Sequence, residues 1–267
     1  MRNKLKKECQ KSERKHYSDV NGQNVVHMPT PFTLSLDPSY DYLRSGFAAA
    51  AGNAILKTLA MLLVYPFLRL FLGFRIIGRE NVKRLKNRGF VAVSNHVHVM
   101  DSPMTACAIG FRRTYFVSAA SNFCIPVIRH LVRALGAVPL SDEPSQVMKM
   151  FSEMEKAISA NKAVQFFPEG FLIPYGSEIR PFRRGAFKLA GDTGAAVLPM
   201  VFTYQRPGGV FRHLKRKPFV TLHILPAVEP DPGLSARQAG ICLEKEVYQI
   251  MNRCFTESQK AGNTENQ

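Results

Sequence analysis

Cysteine is scarce in this chain, and acidic residues are outnumbered by basic ones. Five cysteines occur in 267 residues, an odd number, and no two of them have the CxxC spacing. This wide separation is not typical of a disulfide framework or of a structural zinc site. We therefore expect the protein to reside in a reducing compartment. The five positions are Cys9, Cys107, Cys124, Cys242 and Cys254.

The shortage of acidic residues leaves a strongly basic chain. There are 20 Asp and Glu residues against 36 Lys and Arg residues, which gives a formal net charge of +16. Such a charge predicts attraction to polyanions, either nucleic acid or an anionic membrane surface. The basic residues are spread through the chain without a recognisable nucleic-acid motif, whereas a long apolar segment is present. We therefore expect membrane lipid as a partner and no nucleic acid.

The start of the chain does not have the pattern of a cleavable targeting peptide. A secretory signal has a charged region and then an apolar core, but the first apolar block here begins only near Phe47. Residues 1–46 begin with MRNKLKKECQKSERKH and show no sustained period of 3.6 or 2. They are predicted to form a basic, largely unpacked arm. It either adheres electrostatically to anionic lipid or is a solvated tail.

An uninterrupted apolar run of membrane-spanning length is also lacking. A spanning helix needs about 20 apolar residues. The apolar segment over 47–76 is interrupted by Asn53, Lys57, Pro66 and Arg69. We predict an interfacial or re-entrant helical anchor whose Lys57 and Arg69 reach towards lipid head groups. A buried helix and a true span remain alternatives. The expected location is the cytoplasmic face of a membrane, as a peripheral or monotopic protein.

Residues 77–257 show alternating strand and helix signals and are predicted to form one catalytic domain. Helical stretches are expected over 144–161, 182–193 and 235–257, with a flexible tail over 258–267. The predicted fold class is α/β, with a mainly parallel or mixed sheet flanked by helices and preceded by the apolar segment. The β-rich runs cover 89–95, 114–120, 136–141, 163–168, 195–204 and 219–228.

The stretch SNHVHVMD places two histidines and an aspartate where the first of these strands ends. His96 follows the strand and Asp101 stands where a helix would begin, and ligand crevices lie at the carboxyl ends of parallel strands. A carboxylate can fix the imidazole tautomer and stabilise the imidazolium, so His96 is predicted to be a general base with Asp101 as its partner. Alternatively, His96, His98 and Asp101 ligate a metal in a hydrolase, or the loop is purely structural.

A second cluster lies in FPEGFLIPYGSEIRPFRRGAF. Its glycines allow backbone amides to approach a ligand, and the helix that opens beside Arg183 and Arg184 is suited to an anion. Glu169 either binds an acceptor hydroxyl or bonds backbone amides within the turn. Taken alone, this turn is weak evidence for a binding site.

Together these motifs resemble the lysophospholipid and 1-acylglycerol-3-phosphate acyltransferase family over residues 47–228. The resemblance implies an O-acyltransferase of phospholipid biosynthesis that moves a fatty acyl group from acyl-CoA or acyl-carrier protein to a lysophospholipid-like hydroxyl. It also implies that no metal or other cofactor is needed. The matching marks, in the family's order, are Asn95, His96 and Asp101 as NHxxxxD, Gly136, residues 167–170 with FRRGAF, and the VLPM of 197–200.

By this resemblance His96 is the base, Asp101 is its partner, and Pro168, Glu169 and Gly170 shape the acceptor site. The chain departs from the family at three places where cations are common, which here hold Ala119, Asp142 and Leu172. A charge-assisted contact contributes ~1.5–3 kcal/mol, so binding of a phosphomonoester should be weaker. The candidate replacements are Arg180, Arg183 and Arg184. An acceptor without phosphate and a non-catalytic lipid-binding protein of the same fold therefore remain alternatives.

Overall fold

The computed structural model describes residues 36–37, 39–44, 47–123, 126–205 and 218–264. The strands are β1 Arg75–Ile77, β2 Phe90–Ser94, β3 Thr114–Ala119, β4 Ala137–Leu140, β5 Ala163–Phe166, β6 Ala196–Gln205 and β7 Phe219–Ile224. The helices are α1 Phe47–Leu72, α2 Arg79–Arg84, α3 Asp101–Ile109, α4 Pro126–Ala134, α5 Pro144–Ser159, α6 Gly185–Thr193 and α7 Ala236–Thr264. A 3₁₀ turn covers Ala120–Phe123.

The strands form one sheet in the order β1-β7-β6-β2-β5-β3-β4. All pairs are parallel except β6 with β7, so the sheet is mixed. The predicted α/β class is confirmed. All five residues of β2 are buried, and its continuous run FVAVS is typical of a strand covered on both faces. The central position of β2 places its carboxyl end between those of β5 and β6.

Helices cover both faces of the sheet, so that the fold has three layers. One apolar cluster joins a sheet face to α5, α6 and α7, and includes Met150, Phe187 and Val247. The other joins the opposite face to α1 and α3 through Leu68 and Met104. All five of these side chains are fully or almost fully buried, so both helical layers belong to the core.

Strand β1 overlaps the end of segment 47–76, which the sequence predicts to associate with a membrane. It pairs in parallel with β7, from Arg75 opposite Thr221 to Ile77 opposite His223. The α/β domain therefore begins at Arg75 and not at residue 77. A strand of three residues is too short to show the alternation that identifies strands in a sequence.

The prediction of an unpacked arm over 1–46 is wrong for the part that the structure describes. Leu36 and Tyr42 are buried in the core that includes α5. The Tyr42 hydroxyl donates to Gln146 Oε1 at 3.2 Å, and the Tyr115 hydroxyl donates to the carbonyl of Leu43 at 3.0 Å. Spaced apolar and aromatic side chains hold this segment against the domain despite its prolines. Residues 1–35 lie outside the described residues, and both interpretations of them stay predictions.

The flexible tail predicted over 258–267 is wrong for residues 258–264. Helix α7 continues to Thr264 instead of ending near residue 257. Starting a helix is unfavourable, whereas extending an existing helix forms one new hydrogen bond for each residue that is fixed. A polar stretch can therefore continue a helix that it would not start. The tail is predicted from amino-acid composition, which does not reflect the cooperativity of helix formation.

Helix α1 exposes one broad apolar face. Over 52–72 it has the length and mean hydropathy, 1.8, to cross a membrane, and little of it is buried. It is therefore not the buried core helix among the three alternatives. The opposite face packs on the domain through Leu68 and Leu72. The exposed apolar side chains are Ile55, Leu59, Leu62, Leu63, Phe67, Leu70 and Phe71.

The prediction that Lys57 reaches towards head groups is wrong. Its side chain is buried, and Nζ donates to the carbonyl oxygen of Arg112 at 2.5 Å. Arg112 lies in the loop between α3 and β3. The neighbouring Asn53 is buried on the same side. Arg69, at the other end of α1, is exposed as predicted.

Replacing Leu62, Leu63 and Leu70 together with Gln should weaken binding to phospholipid vesicles by roughly 100-fold or more, since burying one such side chain contributes ~1.5–3 kcal/mol. Vesicle flotation of the purified protein measures the loss. The double variant Met148→Gln/Ile241→Gln, which changes exposed apolar residues on α5 and α7, should bind like the wild type. Unchanged binding of the triple variant would show that this face does not contact lipid.

Candidate active site

The first motif begins at the carboxyl end of β2, where Asn95 ties the loop to the neighbouring strand β6. Asn95 Nδ2 donates to the carbonyl oxygen of Phe202 at 3.0 Å, and the Phe202 N–H donates to Asn95 Oδ1 at 2.7 Å. Both residues are buried, so the two bonds satisfy groups that water does not reach. The residue before His96 is thereby held in one orientation.

His96 and Asp101 meet as predicted. Nδ1 of His96 lies 2.8 Å from Oδ2 of Asp101, the first residue of α3. The same oxygen accepts the backbone N–H groups of Val97 at 2.7 Å and His98 at 2.9 Å. A carboxylate only accepts, so Nδ1 is assigned as the protonated nitrogen and Nε2 carries the lone pair. The His96 side chain is 23% exposed, so the ring is partly accessible from solvent.

Two opposing effects act on the Asp101 carboxyl. Complete burial raises its pKa, because an apolar surrounding disfavours the charged form. Hydrogen bonds from His96 and from the backbone N–H groups of His98 and Val97 lower it. These donors partly stabilise the charge of a carboxylate that water cannot solvate.

The second motif lies directly against the first. The ring of Phe167, which follows β5, stacks on His96 with the ring centroids 4.2 Å apart and the planes 19° apart. Further along the loop, the N–H of Ile173 donates to the carbonyl of His96, and the N–H of Tyr175 to that of Val97, each at 3.2 Å. The two loops therefore form one unit that holds the imidazole from both sides.

The Pro-Glu-Gly turn places a glycine at the surface beside His96. Pro168 and Glu169 are buried, whereas Gly170 is exposed with φ of +84°. The N–H of Arg183 donates to the carbonyl of Pro168 at 2.8 Å. A Cβ on Gly170 would lie 2.5 Å from Arg183 Nε. Glycine is thus required here by both its backbone angle and the guanidinium that crosses it.

The three predicted replacement arginines have different surroundings. Arg183 is exposed and lies over the glycine of the turn. Arg180 is buried and pairs with Glu169, a partner that neither alternative for that carboxylate named. Arg184 is directed to α7, where its Nε is 3.7 Å from Glu244. The structure therefore brings Arg183 to the turn, turns Arg180 inwards and directs Arg184 away.

The three departures from the family pattern leave the same edge of the sheet without cations at those positions. Ala119 ends β3, and Asp142 follows the adjacent β4, so both lie at the carboxyl edge where His96 is found. Leu172 is buried in the loop after the Pro-Glu-Gly turn. A phosphate group bound at this edge would need a cationic side chain from another position.

His98 does not share the arrangement of His96 and Asp101. Its Nδ1 accepts the backbone N–H of Met100 at 3.1 Å, and its ring contacts Tyr175 edge-on at 6.0 Å. In the part of the chain that the structure describes, there is no group of three or more His, Cys, Asp or Glu side chains placed to hold a metal ion.

Two contributors to the site were not assigned a role from the sequence. Phe167 belongs to the second motif, and an aromatic residue directly after a buried strand is a usable signal for such a role. Tyr175 has a left-handed backbone, with φ of +51°, which costs a non-glycine residue ~1–3 kcal/mol and is compensated by its contacts with the first loop. Nothing in the local sequence indicates that conformation.

Comparison with known proteins agrees with this geometry. A family model described as Acyltransferase matches residues 73–203. The chain is 33% identical over 172 residues to the chloroplastic 1-acyl-sn-glycerol-3-phosphate acyltransferase LPAT1 of Arabidopsis thaliana, covering 64% of this chain and 44% of that one. For the chloroplastic enzyme BAT2 of Brassica napus the identity is 36% over 149 residues, covering 55% and 40%. The chain thus spans less than half the length of these two relatives.

The fold is similar to that of a solved acyltransferase. The crystal structure of the 1-acyl-sn-glycerophosphate (LPA) acyltransferase PlsC from Thermotoga maritima superposes with a TM-score of 0.56 and 23% identity, covering 79% of this chain and 80% of that one. Residues 73–203 therefore match an acyltransferase family model, and the chain is similar to 1-acyl-sn-glycerol-3-phosphate acyltransferases, in agreement with the resemblance that its motifs predicted.

Replacing Asn95 with Ala should lower the free energy of unfolding by about 2–5 kcal/mol, because the buried N–H and carbonyl of Phe202 each lose their partner at a cost of ~1–3 kcal/mol. Urea unfolding in detergent measures the change. Asn87→Ala, on the exposed loop before β2, should stay within ~0.5 kcal/mol of the wild type. Equal effects of the two variants would show that the bridge between Asn95 and β6 contributes little.

Proposed function

We propose that this protein transfers a fatty acyl group from acyl-CoA or acyl-carrier protein to the free hydroxyl of 1-acylglycerol-3-phosphate. The observation that supports this most directly is the 2.8 Å bond between His96 Nδ1 and Asp101 Oδ2, which leaves Nε2 of a partly exposed ring to act on substrate. The match of residues 73–203 to the Acyltransferase family model supports acyl transfer as the type of reaction.

In the proposed reaction, Nε2 of His96 takes the proton of the acceptor hydroxyl while the oxygen attacks the thioester carbonyl carbon. The tetrahedral intermediate collapses with cleavage of the C–S bond, and the imidazolium returns its proton to the leaving thiolate. A positioned general base contributes typically ~10² to 10⁴-fold in rate. The reaction needs no covalent acyl-enzyme, and the chain has no GxSxG nucleophile motif.

Asp101 keeps the ring in the tautomer that the reaction needs. Its carboxylate stabilises the imidazolium as the proton arrives, and it is held by two backbone N–H groups so that it need not reorganise. Phe167 restricts the ring from the other side by stacking. The base is thereby preorganised before substrate binds.

The acceptor is proposed to bind at the Pro168-Glu169-Gly170 turn, with its phosphate on Arg183. That guanidinium is exposed and crosses Gly170, which is three residues after the Phe167 that stacks on His96. A guanidinium matches a phosphate with parallel donors, which suits a charged head group. Pro168 shapes the turn by accepting the Arg183 backbone N–H.

A lipid acceptor without phosphate is the second candidate. It is favoured by Ala119, Asp142 and Leu172, which stand where the family pattern has cations, and by the inward direction of Arg180. A site with one cation discriminates less between a phosphomonoester and a neutral acceptor than a site with several cations does. The two acceptors therefore differ in how much they depend on Arg183.

The reaction is proposed to occur at the cytoplasmic face of a membrane, with α1 held against the lipid by its exposed apolar face. A lysolipid acceptor reaches the site from the bilayer, whereas a thioester of CoA or of a carrier protein arrives from the aqueous side. The net charge of +16 favours an anionic lipid surface and also favours these acidic donors.

Replacing His96 with Ala should reduce acyl transfer by at least roughly 100-fold, because the general base is lost while the fold is kept. The assay follows a labelled acyl group from acyl-CoA and from acyl-carrier protein to 1-acylglycerol-3-phosphate and to a panel of other lysolipids and monoacylglycerol. His130→Ala, an exposed histidine on α4, is the matched control and should keep wild-type activity.

Three results would contradict this mechanism. Full activity of His96→Ala would exclude His96 as the base. A wild-type protein that acylates none of the acceptors would support a lipid-binding protein without turnover. Stoichiometric zinc, iron or manganese in the purified protein would favour the metal-dependent hydrolase that uses His96, His98 and Asp101 instead.

Replacing Arg183 with Gln should raise the KM for 1-acylglycerol-3-phosphate by roughly tenfold, because a charge-assisted phosphate contact of ~1.5–3 kcal/mol is lost. The KM for monoacylglycerol should not change. Arg184→Gln, one residue along and directed to Glu244, should have a clearly smaller effect on either KM. If Arg183→Gln changed both KM values equally, or neither, the phosphate would not lie on Arg183 and the neutral acceptor would be favoured.

A further inference from the structure

A buried ion pair lies behind the acceptor turn. Arg180 Nη2 donates to Glu169 Oε2 and, at 2.6 Å, to the carbonyl oxygen of Phe171. The Arg180 Cζ atom lies 4.0 Å from the centroid of the Phe171 ring. The side chains of Glu169 and Arg180 are only 3% and 10% exposed. The Arg180 guanidinium therefore contacts the loop at three points, namely the Glu169 carboxylate, the Phe171 carbonyl and the Phe171 ring.

This ion pair is continuous with the His96 loop through short backbone connections. Glu169 is two residues after Phe167, which stacks on His96, and the backbone N–H of His96 favours the ionised form of Glu169. Ile173, further along the same loop, donates to the His96 carbonyl. A change in the charge or position of Glu169 is therefore transmitted to the ring that acts as base.

Arg180 is not placed to bind an acceptor phosphate itself. Its Nη1 is buried, so a phosphate arriving from solvent cannot contact it unless the loop moves. The exposed Arg183 is the guanidinium that lies over Gly170. The family's cation after the Pro-Glu-Gly turn is replaced here by the buried Leu172, and the charge in this part of the loop comes from residue 180 instead.

We propose that Arg180 is a positioning residue for acyl transfer: its buried ion pair with Glu169 favours the ionised carboxylate and thereby holds the loop that stacks Phe167 on His96. This inference rests on the proposed function, in which His96 is the base. A buried carboxylate without a partner is strongly disfavoured, so loss of the guanidinium would either protonate Glu169 or draw the loop towards solvent. In both cases the stacking of Phe167 on His96 would loosen.

The groups that face Glu169 determine its response to pH. Its pKa is raised to about 7, because burial outweighs the opposing effects of Arg180 and of the backbone N–H groups of His96 and Arg180. From β6, the Tyr204 hydroxyl faces the same carboxylate, and the pKa of Tyr204 is raised by burial and by Glu169. Activity that needs ionised Glu169 is lost as the pH falls through this pKa. Removing Arg180 raises the pKa further, so the acid limb of the profile moves to higher pH.

The test compares kcat and KM across the pH range for Arg180→Met, Arg180→Lys, Glu169→Gln and the double variant Glu169→Gln/Arg180→Met. For Arg180→Met we expect kcat to fall by roughly 10- to 100-fold. Its acid limb should move up by roughly one pH unit, with little change in the acceptor KM. Arg180→Lys should recover part of both effects. The double variant should be no worse than Glu169→Gln, because the two residues act as a unit.

Arg88→Met is the matched control, since Arg88 forms an exposed bidentate ion pair with Glu229 and precedes the amino end of β2, whereas His96 follows its carboxyl end. It should leave kcat and the pH profile unchanged. A second measurement does not require turnover. The infrared carboxyl band of Glu169, identified by subtracting the Glu169→Gln spectrum, should titrate at higher pH in Arg180→Met than in the wild type.

Several outcomes would overturn the proposal. A selective rise in KM for 1-acylglycerol-3-phosphate, with the pH profile unchanged, would show that Arg180 binds the phosphate directly. A fall in kcat without movement of the acid limb, and without recovery in Arg180→Lys, would show a merely structural role. An infrared titration that is the same in both proteins would exclude control of Glu169 by Arg180. Full activity of His96→Ala would instead refute the proposed function and leave the infrared result standing.

Discussion

One buried carboxylate oxygen organises the proposed active site. Oδ2 of Asp101 accepts the ring N–H of His96 and the backbone N–H groups of Val97 and His98, so it sets both the path of the loop and the tautomer of the base. Burial opposes the charge on this group and raises its pKa overall, and the three donors offset part of that cost. Because Asp101 begins α3, packing of this helix into the core also places the carboxylate.

The remaining parts of the site are built to hold the other side of the same ring. The central strands β2 and β5 end side by side, which brings Phe167 onto His96, and Arg180 holds the following turn from within. The turn leaves Gly170 and the exposed guanidinium of Arg183 at its surface. Rigid, buried contacts thus surround a small accessible area, as expected where a reacting group must be preorganised.

Much of the fold could be predicted because its signals are local. The continuous apolar run of β2 and the helical period of α5 identify elements without reference to the rest of the chain. The misses concern elements that tertiary contacts stabilise. Strand β1 is too short to show a pattern, the segment around Tyr42 is held by side chains from β3 and α5, and Lys57 is buried because Arg112 offers it a carbonyl.

The sequence by itself determined the α/β class, the pairing of His96 with Asp101 and the resemblance to acyltransferases, because an intact motif at a strand end constrains both geometry and chemistry within a few residues. Only the tertiary structure decided the roles of the three arginines. Arg180, Arg183 and Arg184 lie within five residues and have the same charge, yet one turns inwards to Glu169, one crosses Gly170 and one reaches α7. The direction of a long side chain depends on which partners the folded chain brings near it, and sequence spacing does not encode those partners.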